Sequence, residues 1–198
     1  MTGNTRIPPT EITGITGGLV KVMSRRMLGQ VPESAMVMWN NPAVFKDMPT
    51  FGGKVERWHT LDANLASYAH MAAAAYVGCS FCLDLNYFMA HNRGLDEAKA
   101  REVPRWRESS VFTPLERSVM EYAEAISQTP PAVTDELSAT LLEAVGADGL
   151  LELAARIAFM NASARMNIAL GITSHEFSAS CGLPPLARRP EADVGSHA

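Results

Sequence analysis

The chain is short of several things, and each shortage narrows what it can be. Cysteine is rare, three in 198 residues, an odd count without the spacing of a secreted disulfide framework. Neither sign of charge dominates. The formal net charge of -4 gives no electrostatic reason to expect nucleic acid or an anionic membrane as partner. The longest apolar run, Met71 to Val77, falls far short of the ~20 residues that cross a bilayer. The first residues lack the charged segment and apolar core of a secretory signal, so the chain reads as cytoplasmic. Sustained alternation of apolar and polar β-branched residues is missing too, so strands are not expected.

What is there is a globular composition, 47% hydrophobic and 19% charged, in a chain long enough for one substantial core. Residues 1–18 are rich in Gly, Thr and Pro and read as an N-terminal arm; residues 19–182 read as one helical domain, and 183–198 as a tail. Within the domain nearly every segment has helical spacing. Ala35, Met36, Met38, Val44 and Phe45 begin the pattern. Thr60 is placed to cap a helix running through Val77, Gly78 interrupts it, and a second helix carries Cys79 to about Asn92 before Gly94. Asp96 is placed to cap a short helix closed before Pro104. Thr113-Pro114-Leu115-Glu116 is the clearest start signal, an N-cap, a first-turn proline and a capping-box glutamate together. Thr134 opens a helix ending near Gly146. The longest helix follows, from Leu150 to about Gly171, with Leu151, Ala154, Ile157, Ala158 and Asn161 along one stripe.

Two of the three cysteines stand together as Cys79-Ser80-Phe81-Cys82, at the expected start of a helix. A three-residue offset puts both sulfurs on one side of the first turn. A helix N-terminus lowers a thiol pKa through its unpaired N–H groups and positive dipole end. One thiolate then attacks a peroxide or a disulfide, and its neighbour resolves the sulfenate or mixed disulfide. Two other readings stay open on spacing alone. Cysteine packs well as a small buried residue, so the pair is also consistent with a plain Ala-rich core. Zinc needs four ligands, and Cys181 with His70, His91 or His175 would have to complete them from distant segments. Asn86, four residues after Cys82, lies one turn along and within reach of the sulfur. Ser67, Tyr68 and His70 sit on the preceding helix. His91 points away and reads as a solvated or capping histidine. Asn161, Arg165 and Asn167 read as a buried structural polar network on the long helix. Gly17-Gly18 has no phosphate-loop context, and no cofactor or metal is expected.

From Pro32 to Gly171 these segments resemble the carboxymuconolactone decarboxylase / alkylhydroperoxidase D superfamily. The likeness rests on Leu65 through Ala75 leading into Gly78-Cys79-Ser80-Phe81-Cys82-Leu83-Asp84, then Gly94-Leu95, Pro114-Leu115-Glu116-Arg117, Tyr122-Ala123-Glu124-Ala125, Thr129-Pro130-Pro131, Leu151-Glu152-Leu153, and Asn161, Arg165 and Asn167 to Gly171. It implies an all-α, AhpD-like domain of about six to eight helices that assembles as a homo-oligomer. For the thiol-bearing branch it implies peroxide reduction or thiol–disulfide exchange, with a dithiol or protein reductant. Cys82 is then the attacking cysteine and Cys79 the resolving one.

The chain departs from that pattern where the proton relay belongs. Ser67 stands where the family has a glutamate, Asn86 where it has a histidine, and Phe81 where some members have another. Neither a serine nor an amide accepts a proton near neutral pH. A weak peroxide reductase is therefore expected unless another group substitutes, His70 first and Asp84 second. Two alternatives accompany this reading: a non-enzymatic helical oligomer or small-molecule-binding protein with structural cysteines, and, as a minor one, a decarboxylase-like lyase.

Overall fold

The computed structural model describes residues 5–188, so residues 1–4 of the expected arm and 189–198 of the expected tail lie outside it. The described residues form nine α-helices and one 3-10 turn, with no strand. The helices are α1 (Gly14–Leu28), α2 (Glu33–Met38), α3 (Pro42–Val55), α4 (Ala63–Val77), α5 (Ser80–Asn92), α6 (Glu97–Glu102), α7 (Pro114–Ser127), α8 (Asp135–Leu170) and α9 (Phe177–Ser180).

At the centre is α4, which packs on α5, α7 and α8. Its sequence explains the position. Leu65, Ala66 and every residue from Tyr68 to Ala74 are buried, so the helix is wrapped on all sides, as expected of one apolar around its circumference. Its run of alanines keeps the neighbouring helices close. The start of α4 differs from expectation. Asp62, not Thr60, caps it, its carboxylate accepting from the amides of Asn64 (2.9 Å) and Leu65 (3.1 Å). The Thr60 amide is instead drawn across to Glu152 Oε2 at 2.8 Å. The Thr113–Glu116 capping box is formed, and Asp96 caps α6 through Lys99 N.

The break expected at Gly146 is present: α8 is two helical stretches meeting at a kink, where Gly146 leaves helical geometry (φ 73°, ψ 173°), a conformation that suits glycine alone. The buried stripe of α8 is rotated from expectation. Leu153, Ile157, Met160, Ala164 and Asn167 face inward, while Leu151 is 72% exposed and Ala158 lies at the surface. The physical reason is the buried Glu152–Arg156 ion pair, 2.8 Å apart, which puts charges on the inner side where a periodicity argument looks for apolar residues.

The chain ends also differ from a plain arm and tail. α1 begins inside the arm at Gly14, and Ile12 is buried. At the other end, Tyr87 Oη donates to Pro184 O, Arg101 Nε to Pro185 O, and Ala187 N to Arg101 O. Among the described residues no helix is long and apolar enough to cross a membrane.

Candidate functional site

The paired cysteines owe their position to one glycine. Gly78 caps α4 in the left-handed region (φ 86°), and both its amide and that of Cys79 donate to Ala74 O at 3.0 Å. The chain is thereby free to restart at once, with Cys79 as the N-cap of α5. Cys79 Sγ accepts the Cys82 amide at 3.3 Å, and the two sulfurs lie 2.7 Å apart. Both thiols are free and buried, 1% and 4% exposed. From α8, Asn167 Nδ2 donates to Cys82 Sγ at 3.3 Å.

A sulfur pair this close shares one proton more easily than it loses two. The Cys82 thiol donating to Cys79 pulls the Cys79 pKa down against the opposing effect of burial, and the Cys82 amide adds to it. The same hydrogen bond, with burial, pushes the Cys82 pKa up. The first thiolate therefore forms on Cys79, at the helix N-terminus.

Beside the pair lies a pocket of about 720 Å³, and Ser67, His70 and Asn86 all line it. Asn86 does not reach the sulfur as expected. Its Nδ2 folds back to Cys82 O at 2.7 Å, with Met160 Sδ at 4.0 Å. His70 is 3% exposed; its Nδ1 lies 3.8 Å from Glu56 Oε1 and its Nε2 has no partner. Burial lowers its pKa to about 4, helped by Arg156 and Arg93 and opposed by Glu56 and Asn86. Two ion pairs brace the walls. Arg93 binds Glu56 at 2.6 Å, and Arg156 binds Glu152 while donating to Trp58 O at 2.5 Å.

Asp84, the second candidate relay group, belongs elsewhere. Its buried carboxylate accepts from Ser174 Oγ (2.8 Å), Phe177 N (2.9 Å), Ser178 N (3.0 Å) and Ser178 Oγ (2.6 Å). It fastens α9 onto α5 and does not line the pocket. Asn161 donates to Ser127 Oγ and Arg165 to Ser127 O and Thr129 Oγ1, which ties α8 to the end of α7. Asn167 is separate from that network and serves the sulfur. His91 pairs with Glu97 at the surface (2.6 Å), and Cys181 is exposed. Among the described residues no cluster of three or more His, Cys, Asp or Glu is arranged to hold a metal. Sequence reasoning missed Glu56, Arg93 and Arg156. The one available signal was Glu152–Arg156, an i,i+4 pair set among apolar residues.

The model of the carboxymuconolactone decarboxylase family matches residues 42–125, a span that holds both cysteines, Ser67, His70 and Asn86. The uncharacterized Escherichia coli K12 protein YnjA is 35% identical over 151 residues, covering 76% of this chain and 83% of its own. The chain belongs to the carboxymuconolactone decarboxylase family. Solved structures carry the same fold. The debrominase Bmp8, in a cysteine-to-alanine variant complexed with 2,3,4-tribromopyrrole, superposes with a TM-score of 0.75 at 17% identity, over 90% of this chain and 98% of that one. An uncharacterized peroxidase-related protein from Ralstonia eutropha JMP134, with the alkylhydroperoxidase AhpD core, gives 0.74 at 17% identity over 89% and 96%. The expected all-α, AhpD-like architecture is thus what the chain adopts.

The state of His70 has a measurable consequence. Its folded pKa of about 4 lies below the ordinary 6.5, so between those values the unfolded chain binds a proton that the native state excludes. Stability therefore falls as pH drops from 6.5 towards 4, by at most about 1.4 kcal/mol per unit from this group. Urea denaturation of wild type and His70→Phe at pH 7, 6 and 5 reads it. The variant loses less stability on acidification; parallel curves exclude a buried neutral histidine.

Proposed function

We propose that the protein is a CxxC thiol–disulfide oxidoreductase that reduces a hydroperoxide or a protein disulfide through Cys79 and Cys82. The observation that carries this reading is the sulfur pair itself, 2.7 Å apart on the first turn of α5, where closing a disulfide needs little backbone movement.

The chemistry follows from the shared proton. Transfer of the Cys82 proton to the Cys79 thiolate is uphill, because Cys79 has the lower pKa and Cys82 the higher. Only a minor fraction of the pair therefore holds Cys79 as thiol and Cys82 as thiolate, and the reaction draws on that fraction. Cys82 Sγ attacks the terminal oxygen of a hydroperoxide, the O–O bond breaks, and the departing alkoxide takes a proton to become an alcohol. Cys82 is now a sulfenic acid. Cys79 Sγ attacks it, a disulfide forms and water leaves. Two thiols and one hydroperoxide thus become one disulfide, one alcohol and one water. An external dithiol or protein thiol restores the pair and is itself oxidised. With a disulfide substrate the first product is a mixed disulfide, resolved in the same way. Cys79 here does what the family histidine does elsewhere, as proton acceptor for its neighbour. A thiolate so placed is a modest substitute, which agrees with a weak peroxidase, since general-base assistance is worth roughly 10²–10⁴ in rate.

Single variants test the roles. Peroxide treatment of Cys79→Ser should leave a sulfenic acid on Cys82 that dimedone captures, and Cys82→Ser should lose peroxide turnover. Unchanged turnover in Cys82→Ser makes the cysteines structural and favours the non-enzymatic reading. A dimedone adduct on Cys79 in Cys82→Ser reverses the two roles.

The homo-oligomer implied by the family resemblance has a physical counterpart in α1. Only Gly17 of this helix is buried, and Ile15, Leu19, Val22, Met23 and Met27 stand exposed along one side. A 15-residue helix is marginal in water without a packed face. Its charges are Lys21, Arg25 and Arg26 with no acid, whereas the first half of α8 exposes Asp135, Glu136, Glu143 and Asp148 around Leu142 and Leu151. The opposite signs favour a second copy of this chain as the occupant, α1 of one protomer lying on α8 of the next. Light scattering after size exclusion should give a multiple of 21.4 kDa, falling to the monomer in Leu19→Glu/Val22→Glu with circular dichroism unchanged. A monomeric wild type contradicts this assembly.

A further inference from the structure

We infer that Asn167 is a catalytic residue of the thiol pair, its side-chain amide stabilising the thiolate of Cys82 and so making that sulfur the attacking one. The inference rests on the dithiol reading above and adds the group that selects between the two sulfurs.

Each sulfur receives an N–H at the same distance, but from a different source. Cys79 Sγ takes the Cys82 backbone amide at 3.3 Å, as the N-cap of α5. Cys82 Sγ takes Asn167 Nδ2 at 3.3 Å, from a residue 85 positions away on α8. The first donor comes with the start of any helix. The second depends on one side chain. Both cysteines and Asn167 are buried, where an anion without a donor is costly. An N–H aimed at such a sulfur holds the thiolate more strongly than the neutral thiol.

The end of α8 anchors the backbone that carries this amide. Gly171 closes the helix in the left-handed region (φ 71°) one turn after Asn167. The Ile172 amide turns back to Asn167 O at 2.9 Å and the Gly171 amide to Ile168 O at 3.1 Å, the pair of bonds that fixes a last helical turn. Arg6 adds a second tie, its Nη1 donating to Ala169 O at 2.8 Å and its backbone amide to Leu170 O at 2.9 Å. The consequence for the reaction is direct. Attack draws on the minor form in which Cys82 is the thiolate, and the Asn167 donor enlarges that form. An apolar residue in the same place would leave it rarer.

Titrating Cys82 by itself tests the assignment. In Cys79→Ser/Cys181→Ser it is the one cysteine left of three, and serine keeps the N-cap of α5. Followed by the carbon-13 shift of its labelled Cβ, the Cys82 pKa should rise by roughly one unit in Asn167→Leu, the preference of one hydrogen bond for an anion. It should rise further in Asn167→Asp, which sets a carboxylate where the donor was. With Asn167 intact, one of its side-chain amide protons should move downfield through the same titration, which decides the matter if the variants do not fold. Equal Cys82 pKa values with Asn and Leu, a lower one with Asp, or an amide proton that ignores the titration each overturns the assignment. No peroxide enters this experiment, so a protein that fails to reduce peroxide still returns one answer or the other.

Discussion

Gly78 ends one helix and Cys79 begins the next, and the site depends on that two-residue junction. The left-handed backbone at Gly78 (φ 86°) lets Ala74 O receive two amides, which closes α4 without further chain. A residue with a Cβ pays roughly 1–2 kcal/mol to hold such a conformation. Because α4 is surrounded by α5, α7 and α8, its end is positioned by packing, and with it the start of α5. The first sulfur therefore sits at the helix N-terminus, and the second lies one turn above it. α8 then reaches both neighbouring regions, with Asn167 on the Cys82 sulfur and Arg156 on the pocket wall.

Much of this was legible in the sequence because it depends on local rules. The glycine stop, the CxxC at a helix start, the Thr113–Glu116 box and the break at Gly146 each need only a few neighbouring residues. What the sequence hid was long-range. Thr60 looks like a cap until Glu152, 92 residues away, claims its amide. Leu151 looks buried until the Glu152–Arg156 pair is seen to occupy the inner side of α8. Asp84 looks like a helix-start acid near the thiols, yet four donors from residues 174–178 take both its oxygens.

The polar residues of the site were only half legible for the same reason. Motif comparison finds Ser67 and Asn86 in place of a glutamate and a histidine, and stops at a missing relay. In space, a glutamate and a histidine are still present, as Glu56 on the chain leaving α3 and His70 one turn along α4 from Ser67. Both line the pocket, as does Asn86.

The central claim is that Cys79 and Cys82 are a working dithiol and not core filler. Mass spectrometry of the intact, reduced protein after brief exposure to one equivalent of peroxide tests it most directly. The expected product is a species about 2 Da lighter, with peptide mapping placing the new bond between Cys79 and Cys82 and leaving Cys181 as a free thiol. An unchanged mass, or oxidation confined to Cys181, contradicts it.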